Sequence, residues 1–375
     1  MLGLAGALTL AGCTDPGKSP SATKSGTTGP SAAPTLPVGD SLVWATWPDY
    51  IDRRGKRRPT LAEFEAESGV KVTYDEVIND NKEYVDSISG KLQARRPVGA
   101  DVVTLTSWMA SRLVRDELCQ PFGAMANAGN LVTALARPDW DPQQSYSMPW
   151  QAGLTGIAYD ARRVDRAIGS VTELLTRDDL RGKVGLLTEF PDTVGLAMLA
   201  RGLDLATASV DDVEETVDEL RAEADGGRFA GFYGNDFMDA LDTGEVAATM
   251  AWSGDVLQAQ LDNPYLKFVL PEEGLMIWSD NLLIPAASQA AGAATALVDY
   301  YYQPEVAARV AAWVNYICPV EGAQAAMDEI DPELAASPLI FPDATTLDRS
   351  HQFPSLPTDD DERLRAAFAD VAASV

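Results

Sequence analysis

From Ser41 onward, short apolar runs alternate with stretches of helical period, joined by links of a few residues. SLVWATW reads as a strand. Thr60-Leu61-Ala62-Glu63 has the spacing of a capping box and opens a helix that Gly69 can close. VKVTYDEV is a second strand. NKEYVDSISGKLQAR is amphipathic, with Tyr84, Ile88 and Leu92 four residues apart on one face. ADVVTLT and SWMASRLVRDE repeat the strand–helix pair. Such alternation with short connections predicts a mostly parallel sheet covered by helices.

A second unit of the same kind begins near Tyr146-Ser147-Met148-Pro149-Trp150. GLTGIAYDA, VGLLTEF, GEVAATMAW and YLKFVLP read as strands, DTVGLAMLARGL and DDVEETVDELRAEA as helices. The stretch from Ala287 to Tyr316 is Ala-rich and helical, with Pro304 opening its second helix. No disordered linker parts the two α/β units, so they are expected side by side around a cleft. In open α/β sheets ligands sit outside the C-terminal ends of strands. Trp47 and Tyr50 follow the first strand, Trp108 the third, and Trp252 ends GEVAATMAW. One aromatic at a strand end is ordinary core. Four at corresponding ends predict a lined pocket.

The run EGLMIWSDNLLIP adds Trp278 and Asp280, two residues apart and therefore on one side of an extended segment. A carboxylate beside an aromatic face suits an organic ammonium ion, through cation–π attraction and a charge-assisted hydrogen bond. The plainer reading is a core Trp beside an Asp that caps a turn.

Composition removes several function classes. Asp and Glu number 56 against 29 Lys and Arg, a net charge of -27, whereas nucleic-acid binding needs a basic footprint. The single His351 and the lack of any P-loop, GxGxxG after a strand, GxSxG or zinc spacing leave no nucleophile, metal or cofactor motif. No cofactor and no metal are expected. A cell-surface hydrolase using paired carboxylates is the remaining enzyme reading.

MLGLAGALTLAGC is an apolar run ending in Leu10-Ala11-Gly12-Cys13, the pattern of a bacterial lipoprotein box in which Cys13 is lipidated. Residues 1–13 are read as a signal peptide ending at that Cys. No Lys or Arg precedes the apolar run, although secretory signals carry a charged start, so a start upstream of Met1 is expected. Residues 14–40, rich in Ser, Thr, Pro and Gly, read as a disordered tether. The chain is expected at the outer face of the cell membrane, held by lipid. Cys119 and Cys318 form a disulfide or remain two buried thiols; the sequence leaves both open.

The chain resembles the solute-binding proteins of bacterial ABC transporters for spermidine and putrescine. Trp47-Pro48-Asp49-Tyr50-Ile51, FEAESGVKV, GADVV, YSMPWQAGLTGIAYD, GEVAATMAWSGDV, EEGLMIWSDNLLIP and VNYICPVEGA carry the resemblance in order, from about Ser41 to Ala323. It implies a two-lobe, periplasmic-binding-protein-like α/β fold with a ligand cleft between the lobes. The first lobe would take residues 41–148 with 284–316, the second 149–283 with 317–375. A monomeric, non-enzymatic protein would capture a polyamine and deliver it to a membrane permease. By resemblance, Trp47, Tyr50, Thr106 and Trp108 lie on the first lobe, and Trp252 and Trp278 sandwich the methylene chain. Asp280 pairs with an amine, and Tyr316 is one more cleft aromatic.

Two departures stand out. The family's acid pair, three residues apart after the strand VGLLT, is matched in spacing by Glu189 and Asp192. Both fall one residue early, which puts Phe190 and Thr193 at the aligned positions. A Gln usual near the C-terminal segment has Gln352 as its nearest counterpart. Fewer acids on the ligand would also suit a quaternary ammonium compound such as choline or betaine, the alternative ligand class on the same fold.

Overall fold

The computed structural model describes residues 36–354 and 356–375. The signal peptide, Cys13 and most of the tether lie outside the described residues. The strands, in chain order, are β1 (Ser41–Thr46), β2 (Lys71–Glu76), β3 (Val102–Thr106), β4 (Cys119–Gln120), β5 (Ser147–Asp160) and β6 (Val184–Leu187). They continue as β7 (Phe229–Tyr233), β8 (Ala248–Trp252), β9 (Leu266–Val269), β10 (Leu275–Pro285) and β11 (Ser350–His351).

The sheet is mixed and continuous, in place of the mostly parallel sheets expected. Its order is β2-β1-β3-β10-β5-β8-β6-β7, with β4 and β11 on β10 and β9 on β5. The parallel character survives at the two ends: β1 pairs in parallel with β2 and β3, and β6 with β7 and β8. Between them β10 runs antiparallel to both β3 and β5. A long strand that joins two parallel halves carries no local mark of its direction, so periodicity could not reveal it. β5 is one unbroken strand through Pro149, with all fourteen residues buried, as expected for a strand covered on both faces.

Local chemistry sets the helix ends. The helix Pro59–Ser68 starts one residue before the expected capping box and has no side-chain cap. Pro59 supplies the preset φ of a first helical residue, while the Thr60 hydroxyl and N–H both turn to Asp52. Gly69 closes that helix at φ 76°. Asp80 caps the helix Asn81–Gln93 by accepting from the Glu83 N–H at 2.9 Å. Asn315, at φ 56°, ends the helix Pro304–Val314 and turns the chain so that Tyr316 enters the cleft.

Trp44 is the packing centre of the first half. It is fully buried, lies edge-on to Tyr74 and Trp150 at 5.0 and 4.9 Å, and donates from Nε1 to Thr104 at 2.8 Å. Cys119 and Cys318 are buried and unbridged, so the disulfide alternative falls. Burial pushes both thiols up to about 12. His351 pairs with Met276 as part of β11. Among the described residues no group of three or more His, Cys, Asp or Glu could hold a metal ion, and no helix is long and apolar enough to cross a membrane.

Trp44→Ala removes a buried indole that no neighbour can replace. It should cost about 3–5 kcal/mol in urea unfolding. A loss below about 1 kcal/mol would show that the ring does not hold β1, β5 and their helices together.

Candidate ligand-binding site

A cleft of about 750 Å³ opens where β1, β3, β6 and β8 end and β10 crosses between them. Trp47, Tyr50, Thr106, Trp108, Glu189, Asp192, Trp252, Trp278, Asp280, Tyr316 and Gln352 all line it. The two halves of the sheet each supply part of the wall, and β10 supplies the floor.

Asp280 owes its position to strand register. It faces Thr106 on β3, and the pairing with β5 breaks just beyond it: Asp280 faces Gln151, but Asn281 faces Pro149. The extra residue is Trp150, at a point where Pro149 has no N–H to give the ladder. Both Asp280 oxygens are occupied by donors from the first half, Thr106 Oγ1 at 2.7 Å and Tyr50 Oη at 2.8 Å. The carboxylate is 4% exposed, and burial pushes its pKa up to about 6 against these two hydrogen bonds.

Trp278 faces Gly153 across the strands. Only glycine fits there, since a Cβ would come within 2.2 Å of the indole. Trp278 donates from Nε1 to Thr155 at 3.1 Å and lies edge-on to Tyr316 at 5.2 Å and to Trp252 at 6.3 Å. Trp252 and Trp278 thus meet edge to face in this structure. They make a corner, closed by Trp47 against Trp252 and Tyr50 against Tyr316.

The second half contributes Glu189 and Asp192, from the start of the helix Phe190–Ala200. Both are 6% exposed and line the cleft despite their shifted alignment. Phe190 packs on Phe353 and Phe368 instead, and the Thr193 hydroxyl donates to the Leu187 carbonyl. Indoles hold both acids: Trp252 Nε1 donates to Asp192 at 2.9 Å, Trp108 Nε1 to Glu189 at 3.0 Å. Burial raises Asp192 to about 6. Burial, Asp80 and Asp192 together raise Glu189 to about 8.

Three contributors escaped the sequence reading. Asp255 lines the cleft, accepts from Tyr316 Oη at 3.0 Å, and is raised to about 7, first by burial and then by Asp49 and Asp280. In sequence it looks like an ordinary acid in a first helical turn, where any Asp is welcome. Its one distinguishing mark is its place three residues beyond Trp252. Asn81 ties Thr106 to Glu189 with bonds of 2.8 and 2.7 Å. The C-terminal segment, with Phe353, Thr358 and Arg365, forms an outer wall; Gln352, though on that wall, is exposed.

The four acids make a pH prediction. A carboxyl whose folded pKa is raised keeps its proton longer in the folded chain than in the unfolded one. The folded state then binds more protons above about pH 4, and stability falls as pH rises through the raised values of about 6 to 8. The melting temperature of the ligand-free protein should fall between pH 4 and pH 8, and Asp280→Asn should flatten that fall. Equal slopes in both proteins would clear Asp280 of any strain.

Known proteins share this architecture. The spermidine/putrescine-binding periplasmic protein of Salmonella typhimurium is 25% identical over 313 residues, 83% of this chain and 85% of that one. The spermidine/putrescine ABC transporter substrate-binding protein PotD of Streptococcus pneumoniae superposes with a TM-score of 0.71 at 22% identity, covering 90% of this chain and 99% of that one. The TpPotD lipoprotein of Treponema pallidum gives 0.72 at 16% identity, covering 89% and 100%. These two structures share the two-lobe α/β fold. Residues 60–342 match the profile of the family described as bacterial extracellular solute-binding protein, and the chain is a member of that family.

Proposed function

We propose that the protein captures a linear polyamine outside the cytoplasmic membrane and delivers it to the permease of an ABC importer. The observation that carries this reading is the set of four buried or half-buried carboxylates, Glu189, Asp192, Asp255 and Asp280, enclosed by indoles and phenols. Burial is the leading cause of the raised pKa in all four, and among the described residues only Glu189 feels a cation, Arg365. An unpaired buried carboxylate is costly. A ligand with several ammonium groups and an apolar spine supplies the missing charges and lays its methylenes on the rings. A quaternary ammonium ion such as choline offers one charge and no N–H to four acids, so the polyamine suits the cleft better. The names of the relatives agree with this choice.

Closure would be a hinge motion of two lobes, 41–148 with 284–316 and 149–283 with 317–375, about the crossing strands β5 and β10. The segment 317–375 would not move as one piece, because its helix Ala323–Ile330 packs on Pro304–Val314 and would travel with the first lobe. Lipid on Cys13 would keep the monomer near its permease. Cys13→Ala should move the protein from the membrane to the soluble fraction of a bacterial host. An unchanged distribution would dismiss the anchor.

Calorimetry with putrescine and spermidine tests the ligand. Asp280→Asn should weaken binding by about 1.5–3 kcal/mol, the worth of a charged hydrogen bond. Wild-type affinity should rise between pH 5 and pH 8 with proton release, because the amines bind the ionised acids. Choline that competes as well as putrescine, or equal affinity for wild type and Asp280→Asn, would sink the reading.

A further inference from the structure

The last helix, Thr358–Ala372, closes the outer wall of the cleft and brings a cation of the chain's own. The guanidinium carbon of Arg365 stands 3.8 Å from the centroid of the Trp108 ring and 4.9 Å from that of Phe190. Asp361, one turn earlier, holds Nε at 2.8 Å. The Arg365 side chain is 12% exposed and that of Asp361 31%. The cation is thus the less solvated member of the pair. Trp108 in turn donates to Glu189. An acid, an indole and a cation already stand together at this end, the arrangement a ligand ammonium would complete elsewhere in the cleft.

Anchoring the helix is the plainer role for Arg365, but that role is filled. Leu364, Phe368 and Val371 are buried beneath the helix, and Arg363 pairs with Glu214 on its neighbour. Phe368 also packs on Phe190 and Phe232. None of these contacts needs a guanidinium on the face of Trp108.

We propose that Arg365 stands in for one ligand ammonium, so that the cleft has places for two and selects a diamine over a triamine. The inference rests on the polyamine reading. Room does not decide the matter, because the cleft is wide at about 750 Å³. Charge decides it. A third ammonium would meet the guanidinium in a desolvated setting, where like charges repel strongly, and would find the face of Trp108 taken. Of the remaining acids, Asp255 and Asp280 are linked through Tyr316 and Tyr50 and share one ammonium, and Asp192 beside Trp252 takes the other. Specificity of this kind comes from a repulsive element placed against the wrong ligand.

Calorimetry with putrescine and spermidine on wild type, R365Q and R365K tests it, with thermal melting of each protein to verify folding. Wild type should bind putrescine more tightly than spermidine. R365Q should raise the spermidine-to-putrescine affinity ratio at least tenfold, and R365K, which keeps the charge, should hold the wild-type ratio. Wild type that binds both equally overturns the inference without any variant. So does R365Q that weakens both ligands alike or leaves the ratio in place. Wild type that binds neither amine overturns the polyamine reading and this inference with it, whereas putrescine binding with an unmoved ratio overturns this inference alone.

Discussion

The pairing of β10 with β5 is the constraint on which the other features depend. Eight pairings run along these strands, from Met276 opposite Thr155 to Leu283 opposite Ser147, with one break in register next to Asp280. Each strand also holds a parallel half of the sheet on its far side, β3 beyond β10 and β8 beyond β5. The ribbon is therefore at once the joint between the halves and the floor of the cleft. A slip of one residue would exchange Trp278 and Asp280 for their neighbours on the other face. The break at Pro149-Trp150 comes after both are placed, and it lets Trp150 turn into the core against Trp44 and Tyr301 without disturbing them.

That floor sets an electrostatic problem which the walls only half solve. Tyr50, Thr106, Tyr316, Trp108 and Trp252 all donate hydrogen bonds to cleft acids. Neutral donors stabilise a carboxylate, yet here desolvation outweighs them, and the four acids bind protons more readily than they would in water. With a net charge of -27 on the chain, the long-range field adds to the strain rather than relieving it. The fold thus stores a demand for positive charge at one place. Its own Lys and Arg residues pair mainly at the surface, as Arg309 does with Glu63 and Arg363 with Glu214.

What the sequence disclosed follows from what is local. Trp278 and Asp280 were legible because a period of two puts them on one side and because an acid in an apolar run has few other uses. The strands β1, β2 and β3 and their helices were legible from pattern and from Gly69. The direction of β10, the break beside Asp280 and the wrapping of the C-terminal helix over the cleft were not, since each depends on pairings between residues far apart in the chain. Asp255 was hidden by its ordinary place in a first helical turn. Arg365 was hidden more deeply, since nothing in TDDDERLRAAFADVA marks one cation apart from its neighbours. The shifted pair Glu189 and Asp192 shows the limit of alignment by spacing: the helix begins at Phe190, and its first turn aims both acids at the cleft while Phe190 itself is buried against Phe353 and Phe368.

On the proposed hinge, the division of labour around the ribbon would make binding and closure one event. Tyr50 and Thr106 come from the first half, Asp192 and Trp252 from the second, and Asp280 and Trp278 from the strand between them. Neither half alone would surround a polyamine, so such a ligand would gain its full set of contacts only if the halves approached. The repulsion among Glu189, Asp192, Asp255 and Asp280 opposes that approach while the cleft holds no cation, because closing would desolvate like charges further. A bound ammonium reverses the sign of that term. The differential interaction that a ligand-driven change of state requires would therefore be supplied by the acids themselves, with the rings selecting the shape of the proposed cation.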